Sequence, residues 1–220
     1  MKEQNLLRNT LGVLGILLPI LTLTFNLLFG KEYNPSYVLS SISATHYSSA
    51  YLLFEGLVFS VGLFLITYRG YDIVDYISST IAGIGAIGLS LFPCALEGAE
   101  TRNFMMLPQG ITNVIHLISA GLFFTCLIYI IGFQFTKTNK RRPMKRKLQR
   151  NALYNICAVL MTCSLIIGFG SKELVKIINF DGASLVGWIY SVFIGEAVAL
   201  CAFGIAWLTK GGVILKDLEG

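Results

Sequence analysis

Along this chain apolar residues come in long unbroken runs, not in the alternation of a half-buried strand or the narrow stripe of a surface helix. Uncharged stretches extend from Thr10 to Gly30, from Tyr76 to Leu96 and from Asn103 to Thr136. A hydrocarbon layer about 30 Å thick is crossed by about 20 helical residues. With that ruler the sequence predicts six spans, at about 9–29, 48–68, 77–95, 111–135, 151–170 and 184–209. Glu55 interrupts the second and Glu196 the sixth. Helices are the expected form, because backbone in lipid must bond to itself and a helix does so locally. The predicted fold class is therefore all-α: a polytopic membrane bundle of six transmembrane helices, forming one integral membrane domain over residues 1–220.

Composition agrees and excludes other classes. Of 220 residues 55% are hydrophobic and 13% charged, and the mean hydropathy is +0.69. Soluble domains carry about 25% charge, so a soluble enzyme, a disordered tail and a disulfide scaffold are all excluded. The five cysteines have no metal-finger spacing; Cys126, Cys157, Cys163 and Cys201 lie inside apolar runs and Cys94 at the end of one. They read as small packing residues. No small-residue cleavage site follows the first run, which reads as a retained span.

The net charge of +5 reflects topology more than nucleic-acid binding. On one side of the predicted spans lie Lys2, Arg8, Arg69, the eight basic residues from Lys137 to Arg150, Lys210 and Lys216; on the other lie Lys31, Arg102, Lys172 and Lys176. The 13:4 division places both termini in the cytoplasm of a plasma- or inner-membrane protein under the positive-inside rule. Tyr47, Tyr51, Trp188 and Tyr190 then fall at the outer interface, and Tyr68, Tyr71, Tyr76, Tyr154 and Trp207 at the inner one. The basic loop supplies a head-group patch for anionic lipid at Lys140, Arg141, Arg142, Lys145, Arg146 and Lys147. The outer loop 31–47 is rich in Ser and Thr and suits a short amphipathic or re-entrant piece.

Small residues recur every fourth position on the third span (Ser78, Ala82, Ala86, Ser90, Cys94), widened by Gly83, Gly85 and Gly88. Such a face lets helix backbones approach closely, against neighbours in the chain or in a homo-oligomer. Gly83–Gly88 also spells Gly-x-Gly-x-x-Gly, but no strand precedes it, so a dinucleotide site is excluded.

Few ionisable groups lie within the spans, and each is a functional hypothesis by its cost there. Counting depth at about 1.5 Å per residue puts Glu55 roughly 10 Å, His116 roughly 8 Å and Glu196 roughly 18 Å below the outer surface, with His46 at the rim. Three readings remain open. His46, His116 and a glutamate (Glu196 or Glu55) would bind a metal such as zinc and activate water in an intramembrane lipid hydrolase. Glu196 with Glu55 would carry protons or ions. Or each polar group simply bonds a neighbouring helix in a lipid-contacting scaffold. The catalytic candidates are His116, Glu196 and Glu55; the metal candidates are His46, His116 and Glu196.

Several strings together resemble a known group: Tyr37-Val-Leu-Ser-Ser-Ile-Ser43, Tyr68-Arg-Gly-Tyr71, Phe92-Pro-Cys94, His116-Leu-Ile-Ser-Ala120 and the closing Glu196–Gly211 run. They are similar to bacterial six-span membrane proteins, themselves distantly similar to the damage-regulated autophagy modulator-like group. That resemblance covers most of the chain and implies a six-helix bundle and membrane-lipid biology. It places His116 and Glu196 at matching positions and has an apolar residue where this chain has Glu55.

Overall fold

The computed structural model describes residues 2–29, 39–96, 105–138, 145–178 and 185–216, with side chains described outside 171–191. The described residues form helices joined by turns and short extended pieces, without strands: α1 (Lys2–Phe29), α2 (Tyr51–Thr67), α3 (Ile73–Leu91), α4 (Gln109–Tyr129), α5 (Lys145–Ile178) and α6 (Leu185–Lys210). Five helical segments are long and apolar enough to cross a membrane; α2, with 17 residues, is a shorter apolar helix. It starts later than the pattern suggests because residues 43–47 form a tight 3-10 turn ahead of it. This turn and its flanks are tucked into the bundle, with Ile42, Ala44, Thr45 and Ala50 buried. Of the loop for which an amphipathic or re-entrant piece is expected, residues 30–38 lie outside the described part.

Successive helices run in opposite directions. Gln4 Nε2 donates to Arg69 O at 3.2 Å, Lys137 Nζ to Asp72 at 2.6 Å and Lys210 Nζ to Tyr71 Oη at 3.1 Å. One end of the bundle thus collects the starts of α1, α3 and α5 with the finishes of α2, α4 and α6. The helices also close a ring: α1 packs on α2, α2 on α3, α3 on α4, α5 on α6, and α6 returns to α1. A further turn, Ile130–Gln134, widens to π geometry at the end of α4 and helps join it to α5.

Close approach within this ring depends on missing side chains. A Cβ on Gly83 would lie 2.6 Å from Gly62 O, and one on Gly62 2.9 Å from Gly83 O. Gly12 and Gly204 stand in the same reciprocal relation at the α1–α6 seam, and Gly85 faces Ser119 O of α4. The small-residue face of the third span is therefore occupied within the chain, between α2 and α4.

Polarity is distributed inside out. Leu28, Ile84, Ile118, Val159, Ile166 and Ile167 are exposed, while Thr22, Asn26, Ser79, Thr112, Gln134 and Glu196 are buried. Thr22 and Asn26 return hydrogen bonds to the carbonyls of Leu18 and Thr22. This is the arrangement of a helical protein embedded in an apolar solvent. Three of the aromatic residues assigned to an interface, Tyr68, Tyr154 and Trp207, turn inward instead, at 2% exposure or less. Their rings stack edge to face with one another and with Phe135.

Candidate functional site

The polar residues singled out from the sequence gather mainly around the exit of α3. Pro93 has no N–H, so it cannot close the helical bond onto Leu89 O, and the helix stops at Leu91. Two carbonyls left over by this break are taken by imidazoles. His46 Nε2 lies 2.9 Å from Leu89 O, and His116 Nδ1 lies 2.7 Å from Phe92 O. The extended residues beyond are held in the same way: Tyr47 Oη donates to Cys94 O at 2.7 Å, Ala95 N to Asn113 Oδ1 at 2.8 Å and Gln109 Nε2 to Leu96 O at 3.0 Å.

The carbonyl partners fix the tautomers. A carbonyl only accepts, so His46 carries hydrogen on Nε2 and His116 on Nδ1. His46 Nδ1 lies 3.2 Å from Glu55 Oε1. A hydrogen bond in that contact would place one proton between them, on the imidazole facing a carboxylate or on the carboxyl facing a neutral ring. The His46 side chain is 3% exposed and that of Glu55 37%, so Glu55 is the group through which the pair meets its surroundings. The two imidazole rings stand edge to face with centroids 6.2 Å apart, and Phe54 lies against His46 at 4.9 Å.

Glu196 is placed differently. Its Oε2 accepts the amide of Ile42 at 2.6 Å, anchoring the chain that leads into the 3-10 turn. It also borders a cavity of ≈ 30 Å³ lined by Leu18, Phe54, Phe123, Leu200 and Phe203 among others. That volume holds about two waters. Among the described residues no group of three or more His, Cys, Asp and Glu is placed to hold a metal ion. The donor set proposed for zinc is divided, with His46, Glu55 and His116 at the α3 exit and Glu196 on the Ile42 amide.

Of the basic patch, Lys140, Arg141 and Arg142 lie outside the described residues, while Lys145, Arg146 and Lys147 open α5. Sequence reasoning missed the backbone partners of His46, His116 and Glu196, since carbonyls and amides carry no sequence signature. Pro93 was the available signal: a proline closing a helical run frees a carbonyl four residues back. Also missed was the pair Lys137–Asp72, at the opposite end, where Asp72 caps α3 by accepting the Asp75 amide at 3.0 Å.

That pair titrates outside the spans. Lys137, then the Asp75 amide, hold the Asp72 carboxyl below the usual carboxylate range, and Asp72 raises the Lys137 ammonium. The Asp72 contribution is present above the ordinary carboxylate pKa and lost as pH falls through the lowered one; the Lys137 contribution disappears as pH rises through its raised value. Both side chains are 42% exposed, so the effect on stability is small. Lys137→Ala should move the Asp72 titration upward by NMR while leaving the melting temperature near that of the parent.

Compared with protein-family models, characterised proteins and solved structures, the chain finds no match. The functional reading accordingly stands on its own geometry.

Proposed function

We propose that the protein is a six-span, lipid-contacting membrane scaffold with both termini on the cytoplasmic side. The observation that carries this reading is the inverted polarity of the bundle, with large aliphatic side chains outward and hydroxyls, amides and carboxyls inward. The orientation rests on the excess of basic residues on one side of the predicted spans. At the other end His46, Tyr47, Gln109, Asn113 and His116 spend hydrogen bonds on the backbone leaving α3, as parts of a rigid frame would. A distant kinship with the bacterial six-span proteins, proposed from the short strings above, points in the same direction.

One observation favours a second reading. His46 and Glu55, two titratable groups, lie in contact, and Glu196 lines a cavity in the bundle. A proton path would use Glu55 as its outer port and Glu196 as an inner station. Both readings, and a zinc hydrolase, are separated in liposomes carrying a trapped pH dye and labelled phospholipid. The scaffold predicts proton leak and fatty-acid release equal to protein-free vesicles. Leak above that level, lost in Glu55→Gln and Glu196→Gln, would replace it with the proton path. Fatty-acid release abolished by a chelator would replace it with the hydrolase.

A further inference from the structure

Two of the residues that wall the cavity inside the bundle also hold its cover in place. The cavity, of ≈ 30 Å³, is bounded by residues of α1, α2, α3, α4 and α6, and by Ile42 and Ser43 of the segment ahead of α2. Glu196 of α6 and Leu89 of α3 stand on its walls. Glu196 Oε2 accepts the Ile42 amide at 2.6 Å, and Leu89 O takes His46 Nε2 at 2.9 Å. The segment is thereby pinned to α6 and α3 from within the cavity wall. Tyr47 adds a bond to Cys94 O, and His46 a contact to Glu55 of α2.

This cover is built to come away as a unit. Its own backbone bonds are local, from Ala44, Thr45 and Ser48 back to Ser41, Ile42 and Thr45, so they travel with it. Its fit is also incomplete: Thr45 Oγ1 and Ser49 Oγ are buried without a hydrogen-bond partner. A buried hydroxyl in that condition favours any state in which it finds one.

The walls have the chemistry of a site for a lipophilic cation. Phe54, Phe123, Phe124 and Phe203 line the space beside Glu196, the one ionisable group among the described residues that border it. Phenyl rings attract cations through their faces, and a carboxylate supplies the opposite charge and strong acceptor oxygens. A volume of about two waters admits no such ligand while Ile42 is in place. Ile42 is at once the filler and the competing donor. An ammonium that takes over its bond on Oε2 keeps the carboxyl satisfied, and the departing Ile42 side chain vacates room for an alkyl chain.

We propose that the cavity binds a lipophilic amine in its ammonium form, bonded to Glu196 in exchange for the Ile42 amide, with residues 39–50 as the cover that the ligand displaces. This goes beyond the scaffold reading, since a ligand site within the helices depends on neither lipid contact nor orientation. It also differs from the proton path, because Glu196 exchanges hydrogen-bond donors and no flux is required.

The test uses the full-length protein in phosphatidylcholine nanodiscs, titrated at neutral pH with octylammonium or octanoate, with protein-free nanodiscs correcting for partition. Binding is read from the melting temperature and from hydrogen exchange at the Ile42 amide. Octylammonium should raise the melting temperature saturably and speed Ile42 exchange, and octanoate should do neither. Glu196→Gln keeps an acceptor for Ile42 and removes the charge, and should weaken octylammonium about tenfold or more. Ala120→Leu fills the cavity from α4 with every charge in place and should also weaken it. Glu55→Gln alters an acid that does not border the cavity and should stay within about twofold of the parent. Ile42→Pro removes the competing N–H at a φ of −61°, which proline adopts, and should bind octylammonium more tightly than the parent. Should Ala120→Leu fail to fold, Glu196→Gln and Ile42→Pro carry the test.

Equal responses to octylammonium and octanoate, or unchanged affinity in Glu196→Gln, would remove the site. Saturable binding that leaves the Ile42 amide as protected as before would overturn the displacement of the cover. Loss in Glu55→Gln equal to that in Glu196→Gln would move the cation to the His46–Glu55 pair and overturn the cavity as its place.

Discussion

Gly83→Leu should prevent the bundle from closing. The first carbon of any side chain at Gly83 would meet the Gly62 carbonyl oxygen at 2.6 Å, and backbone cannot swing aside as a flexible side chain can. The added branch would drive α2 from α3 and strip both of the packing that holds helices together in lipid. Over-packing a tight interior costs about 1–3 kcal/mol. Leucine, with four carbons against a backbone wall, belongs at or above the upper limit, and alanine within the range. The measurement is the monodisperse fraction and melting temperature after detergent extraction. Gly56→Ala and Gly121→Ala provide the contrast, since no atom lies within 4 Å of a Cβ at either position. They should be neutral or slightly stabilising, because alanine is the better helix former. A Gly83→Leu protein as stable as these controls would show that the α2–α3 crossing is not set by its glycines.

The second large effect concerns Glu196. In Glu196→Ala the buried Ile42 amide loses its acceptor and the cavity beside it grows. A buried donor left without a partner costs about 1–3 kcal/mol, and the enlarged cavity adds to that. Residues 39–50 should then loosen from the bundle, seen as faster backbone exchange at Ile42, Ala44 and Thr45 and a lowered melting temperature. Glu196→Gln keeps an acceptor oxygen at the same reach and should recover most of the stability. The same pair of variants separates anchoring from proton conduction, since glutamine preserves the hydrogen bond and removes the titratable group. If alanine and glutamine were equally stable, the bond to Ile42 would contribute nothing and Glu196 would need another reason to be buried.

The helices were legible because a run of apolar residues depends only on composition. Their ends were less so, for local reasons. α3 stops at Leu91, before the expected boundary, since Pro93 breaks the ladder and the polar side chains of the next helix hold the chain extended. α2 begins at Tyr51 because Ser43–Tyr47 coils tightly ahead of it. The π turn at Ile130–Gln134 lies in a stretch where apolar side chains occur on every face, so its sequence shows no change of period. In the candidate site, depth counting put His46, Glu55 and His116 near the same end, but it gave no partners. The partners of His46 and His116 are the carbonyls of Leu89 and Phe92, and that of Glu196 is the Ile42 amide, main-chain groups that carry no side-chain signature.

That closure has a consequence for how the chain is made. The seam between α1 and α6 joins a helix made early to one made more than 150 residues later, through Gly12 and Gly204. Until α6 emerges from the ribosome, the glycine face of α1 has no permanent mate, and Glu196 has not yet reached the Ile42 amide. The early helices must therefore wait in the bilayer as an open arc, with grooves covered by lipid or by the insertion machinery. The ring closes in a single late event, and a chain truncated before α6 would be a half-built arc, exposed to the quality-control proteases of the membrane.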